Sequence, residues 1–201
     1  MHRYIPPVLT SILLSGCLAK QNLPVHILID ESFVIEERSA IDAAINTWND
    51  QAGARLGSKA PIFIIDGHVG MPPLSRVNLT DGLHGIYYAD SEKFDPTPRD
   101  SSWGYGLHED ILVFIDQMSW SKKDAQGKIV ELDPRGTIVP WQLKGTLLHE
   151  LGHLLGLMHF NHLPGIMNDG VIFFKFFDKI NNDIFLQKSD LDEFCLIYDC
   201  K

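Results

Sequence analysis

Positive charge is in short supply in this chain. Seventeen lysines and arginines stand against 26 aspartates and glutamates, a formal net charge of −9. A nucleic-acid partner needs a basic surface, so that class is excluded, and the acid excess reads as solubility. Long apolar runs are also missing: no stretch approaches the roughly 18 residues of a membrane-spanning helix. Internal repeats and low-complexity tracts are absent. Cysteine is scarce, three in 201 residues, with none between Cys17 and Cys195. What remains is ordinary: 45% hydrophobic and 21% charged residues. That composition suits one domain with a real core, or two lobes around a cleft.

One stretch is far from ordinary: His149-Glu150-Leu151-Gly152-His153-Leu154-Leu155-Gly156-Leu157-Met158-His159. On a helix, His149 and His153 sit one turn apart on one face and can grip one metal ion. Glu150 is rotated about 100° from His149, so it is free to act on a metal-activated water instead of joining the ligands. Gly156 can end the helix in a positive-φ conformation, and the chain can then bring His159 back to the same ion. Three neutral nitrogens and one open position make a catalytic zinc site, where a structural site would use four protein ligands. His162 is a rival third ligand by proximity.

The N-terminus differs in kind from the rest. Arg3 precedes the apolar run Val8 to Leu14, and Leu14-Ser15-Gly16-Cys17 follows. This resembles a bacterial lipoprotein signal peptide, which implies cleavage after Gly16 and lipid on Cys17. Leu18, in place of an aspartate, implies the outer membrane or cell surface. A plain secretory signal cleaved after Ala19 is the alternative. Residues 1–16 are thus expected to be the signal and 17–24 the lipidated end and tether, residues 18–24 reaching about 25 Å at most. Export would place Cys195 and Cys200 in an oxidising compartment. On one regular helix their Cα atoms would lie about 8–9 Å apart, too far to bridge. They can bridge if the helix ends near Tyr198; two free thiols are the alternative.

Along the chain, Val25–Ile29 reads as a strand and Ile35–Ala52 as a helix, with Ile41, Ile45, Trp48 and Ala52 as its core stripe and Gly53 as its stop. Ile62–Ile65, before Asp66-Gly67, reads as a buried strand, as do Gly85–Tyr88 and Ile111–Ile115. Gly70–Asp81 and Asp90–Ser102 read as loops, and Lys122–Gly136 as a hairpin-like excursion. Pro140 suits the first turn of the motif helix, which five leucines (147, 148, 151, 154 and 155) fix by their buried face. Pro164–Asn168 is a tight turn containing Met167. Ser189 can cap a last helix, with Asp190, Asp192 and Glu193 in its first turn and Leu191, Phe194, Cys195 and Tyr198 as its stripe. The fold class is α+β or mixed α/β.

The pattern His149-Glu150-x-x-His153-x-x-Gly156-x-x-His159, with Met167 in a following turn, resembles the metzincin clan of zinc endopeptidases. Within it the chain looks most like a compact bacterial matrixin, through Trp48-Asn49, the strand Asp110–Ile115, and the last helix with Asp190 and Tyr198. The resemblance spans about Pro24 to Tyr198. It implies a twisted, mostly parallel sheet with an antiparallel edge strand, two long helices and a small C-terminal lobe with a final helix. The catalytic domain would be residues 25–201, the upper lobe running to about 156 and the lower from 157. It also implies one catalytic zinc ion held by His149, His153 and His159, Glu150 as general base, Met167 as an apolar floor, and a peptide or protein substrate. No inhibitory cysteine segment is expected upstream. Phe160 and Asp169 depart from the subfamily patterns at positions where serine, aspartate or tyrosine is usual.

Other residues have plainer readings. His26, His68, His84 and His108 lack ligand spacing and read as surface or core histidines. Asp90, Asp95 and Asp100 lack a calcium-loop pattern. Phe173, Phe174, Phe176 and Phe177 can line the pocket for the residue after the scissile bond, or pack the small lobe. The expected protein is a monomeric, lipid-anchored envelope endopeptidase; the alternative is a non-catalytic lipoprotein that binds a peptide or protein partner through a zinc-containing groove. The anchor is testable alone: a Cys17→Ser variant is expected to leave the membrane fraction, and its retention there would sink the assignment.

Overall fold

The computed structural model describes residues 20–57, 60–71, 83–89, 104–107, 110–114, 120–123, 129–133, 140–159, 165–168 and 185–200. Strand β1 (Val25–Asp30) buries Val25, Ile27 and Ile29 and exposes His26, the period-two pattern of a covered strand. Helix α1 (Ile35–Leu56) follows. It starts without a serine or threonine cap. The Glu37 carboxylate accepts the Val34 N–H at 2.9 Å instead, and Glu36 and Glu37 favour the positive end of the helix dipole.

Gly53 does not stop this helix, contrary to the sequence reading. The helix runs to Leu56, which packs on the core, and Gly57 provides the left-handed cap at φ 64°. A mid-helix glycine costs only about 1 kcal/mol relative to alanine, less than the packing of another turn returns. Asp66-Gly67 is a second correction. Strand β2 (Phe63–Val69) passes through it. Ile27 pairs with Ile65 and Leu28 with Gly67, so Asp66 is the extra residue of a bulge, not the start of a turn.

Strands β3 (His84–Ala89), β4 (Gly104–Leu107) and β5 (Asp110–Phe114) complete a five-stranded sheet in the order β2-β1-β3-β5-β4. The β1–β2, β1–β3 and β3–β5 pairs are parallel, and β4 is an antiparallel edge. Ile111, Leu112 and Val113 are all buried, as expected of a parallel strand covered on both faces. The sequence reading missed β4, because Gly104 and Gly106 weaken any strand signal there. Strands β6 (Trp120–Lys123) and β7 (Ile129–Asp133) form a separate antiparallel pair, starting two residues before the expected excursion. The fold is mixed α/β: among the described residues, four parallel strands with an antiparallel edge strand, the separate β6–β7 pair and three helices.

Helix α2 (Pro140–Leu154) starts at its proline. Leu143, Leu147, Leu148, Leu151, Leu154 and Leu155 are buried. Trp48 of α1 is fully buried and donates its indole N–H to the Leu148 carbonyl at 3.1 Å. Helix α3 (Lys188–Tyr198) has Gln187 at its N-cap, not Ser189. The reason is Asp190, whose carboxylate reaches back to the Gln187 N–H at 2.7 Å. The α3 helix ends at Tyr198, and Asp199 turns into the left-handed region at φ 53°. That turn brings the Cys195 and Cys200 Cα atoms to 4.7 Å, and the two are disulfide-bonded. Among the described residues no helix is long and apolar enough to cross a membrane.

Asn49 shows how α1 is fastened to the sheet. Its side chain accepts the Phe63 N–H at 2.7 Å and donates to the Phe63 carbonyl at 3.0 Å, acting as a neighbouring strand would. Asn49→Ala is expected to lower unfolding stability by about 2 kcal/mol through two unmade hydrogen bonds. The urea midpoint should shift while the m-value stays unchanged.

Candidate metal centre

The centre begins with helix spacing. His149 and His153 lie one turn apart on α2, and the helix then ends in a Schellman turn. The Leu157 N–H donates to the Gly152 carbonyl at 2.9 Å and the Gly156 N–H to the His153 carbonyl at 2.8 Å. Gly156 takes φ 89°, a conformation that suits glycine. The reversal carries His159 back beside the helix. The three Nε2 atoms converge, with separations of 3.0, 2.9 and 3.0 Å.

The outer ring nitrogens decide what that convergence means. His149 Nδ1 is 2.7 Å from the Ile166 carbonyl and His153 Nδ1 is 2.9 Å from the Leu157 carbonyl. A carbonyl only accepts, so each Nδ1 carries its proton and each Nε2 presents a lone pair. Two such lone pairs 3.0 Å apart repel unless a cation lies between them. Nitrogens at this spacing can all sit about 2.0–2.1 Å from one point, the usual zinc–imidazole distance. The three histidines therefore fit a metal ion through neutral imidazoles. Burial, and next the neighbouring His149, lower the His153 pKa to about 4, with Glu150 pulling the other way. His153 is thus neutral, as a ligand must be.

Glu150 is buried, 7% exposed, and close enough for its charge to act on His153. It does not belong to the converging group. Met167 is fully buried and packs under the helix at Gly152. A Cβ placed on Gly152 would meet Met167 Sδ at 2.4 Å. The glycine between the two helical histidines is thus set by the methionine beneath it.

Asp190 holds this floor in place. It is fully buried. Its Oδ2 accepts the Ile166 N–H at 3.0 Å and its Oδ1 the Met167 N–H at 3.1 Å, besides the Gln187 N–H. Burial raises the Asp190 pKa against the downward pull of these three donors. Ile166 therefore receives from His149 at its carbonyl and gives to Asp190 at its N–H. The sequence reading placed Asp190 in the first turn of a helix but did not see this clamp. A lone acidic residue at a helix start was the available signal; its backbone partners carry no side-chain signature.

Other expected site residues are placed apart or lie outside the described residues. His26 pairs with Asp66 at 2.8 Å on the exposed face of β1 and β2. His84 is buried at the start of β3. Among the described residues, neither these nor His68 join a group of three metal-capable side chains. Cys17, Asp90, Asp95, Asp100, His108, Phe160, His162, Asp169, and Phe173, Phe174, Phe176 and Phe177 lie outside the described residues. No family model and no curated protein matches the chain.

Replacing Asp190 tests the clamp. In Asp190→Asn the amide NH2 must face at least one of the three N–H donors. The expected cost is about 2–4 kcal/mol, from a lost charge-assisted bond and an unsatisfied buried group, read as a fall in the urea midpoint.

Proposed function

We propose that this chain is a zinc-dependent endopeptidase of metzincin type, most like the compact bacterial matrixins, held at the bacterial cell envelope by lipid on Cys17. His149, His153 and His159 are the metal ligands and Glu150 is the general base. The observation that carries this reading is the convergence of three Nε2 atoms, two of them left unprotonated by the carbonyl bonds of their rings, with a buried carboxylate beside them and outside the ligand set. An all-imidazole set of three suits zinc, and three protein ligands are the catalytic count.

A zinc ion bound there supplies Lewis acidity, bringing the pKa of a water to about 7 and polarising a substrate carbonyl. The residues supply the rest. Glu150 takes the proton of the attacking water and delivers it to the leaving amine as the peptide bond breaks. His149 and His153 hold their rings in one tautomer through the Ile166 and Leu157 carbonyls and need lose no Nε2 proton on loading. The apolar packing of Met167 under Gly152 keeps water from the underside of the site.

The test uses an unbiased peptide library with and without chelator. Wild-type protein should carry one equivalent of zinc and cleave only without chelator. Glu150→Ala should keep the zinc and lose at least about 100-fold in kcat/KM, while His153→Ala should lose the metal. Cleavage by Glu150→Ala at the wild-type rate would refute the assignment. Zinc without cleavage in the wild-type protein would leave a peptide-binding groove as the reading.

A further inference from the structure

His159 is the ligand most dependent on the turn. His149 and His153 ride on α2, whereas His159 lies beyond Gly156 and is exposed. Its position is set by the direction in which the chain leaves the helix. The Schellman bonds occupy the Gly152 and His153 carbonyls. The Leu155 carbonyl, adjacent to Gly156, is one of the last four of the helix and has no intrahelical partner of its own. Tyr198, at the end of α3, supplies one: its hydroxyl lies 3.2 Å from that carbonyl.

Two further contacts fix the direction of this bond. The Gln21 N–H donates to the same hydroxyl oxygen at 3.2 Å, so the phenol accepts from Gln21 and gives its single proton to Leu155. Lys20 Nζ sits 5.3 Å over the Tyr198 ring and 3.4 Å from Asp199 Oδ2. The ring also stacks on Phe194 at 4.6 Å, and the Cys195–Cys200 disulfide brackets the same stretch. The hydroxyl is therefore held by the incoming chain, by α3 and by the helix end at once.

We propose that Tyr198 is a positioning residue of the metal centre, holding His159 in place through the Leu155 carbonyl, and that residues 20–21 are part of this hold. The manner in which the chain enters β1 then sets how tightly the centre keeps its metal. This rests on the reading that the triad binds a divalent metal, and it does not depend on peptidase activity.

The probes are Zn2+, in competition with a chelator, and Co2+, whose absorption spectrum reports ligand geometry. Tyr198→Phe removes one oxygen and keeps the ring. It is expected to weaken Zn2+ affinity about tenfold, the lower end for loss of a group supporting a ligand, and to change the Co2+ spectrum. Gln21→Pro removes the N–H without touching α3 and should move both readouts the same way by less. A purely structural role predicts otherwise: Tyr198→Phe would lower the metal-free and zinc-loaded melting temperatures equally. Zinc affinity and cobalt spectrum would then stay at wild type, and that result overturns the proposal. Wild-type affinity in Gln21→Pro removes the N-terminal share. A wild-type chain that binds neither ion overturns the metal reading itself, which separates that failure from this one.

Discussion

Everything around the centre of this protein answers one electrostatic problem. Three imidazole nitrogens face one another at about hydrogen-bond distance. Two of the rings have committed their only protons to backbone carbonyls on the far side. Two acceptors turned toward each other are unfavourable in a partly buried site, and a bound cation would relieve that repulsion. The fold resists its collapse by anchoring each wall. The helix carrying two of the rings lies against α1 through Trp48 and the leucine face, and α1 is pinned to the parallel sheet through Asn49.

The most expensive part of that anchoring is Asp190. An ionised carboxylate with no exposure costs several kcal/mol unless its oxygens are satisfied. Here three backbone N–H groups converge on it, two from the methionine turn and one from the start of α3. One residue therefore caps a helix, fixes a turn, and through Ile166 orients a ring 41 positions earlier in the chain (190 − 149). Met167 and Gly152 are matched in the same spirit, since the thioether occupies the space a side chain at 152 would need.

The parts legible in the sequence are those written in side chains at regular spacing. The histidines four apart, the proline opening α2, the glycine closing it and the buried strand runs all carry local signals, and the mixed α/β class follows from their order. The parts not legible involve competition with packing or use of the main chain. Gly53 and Asp66-Gly67 look like stops, yet Leu56 and the β1–β2 register carry the elements past them. Ser189 looks like a cap, yet Asp190 reaches one turn back to do that work. Strand β4 has two glycines in four residues and exists because β5 offers it an edge. The carbonyls of Leu155, Leu157 and Ile166 are the least visible of all, because a backbone oxygen has no letter.

The three converging nitrogens come from only eleven consecutive residues, and this bears on thermodynamic linkage. An unfolded chain keeps those imidazoles within a few turns' reach of one another, so it would retain some affinity for any ion that the folded site binds. Binding to the unfolded state subtracts from the stabilisation that a ligand confers on the native one. For such a site, metal affinity and metal-induced stability would be different quantities. Their gap is set by contacts distant in sequence, made by Asp190, Met167 and Tyr198, which exist only once the chain has folded.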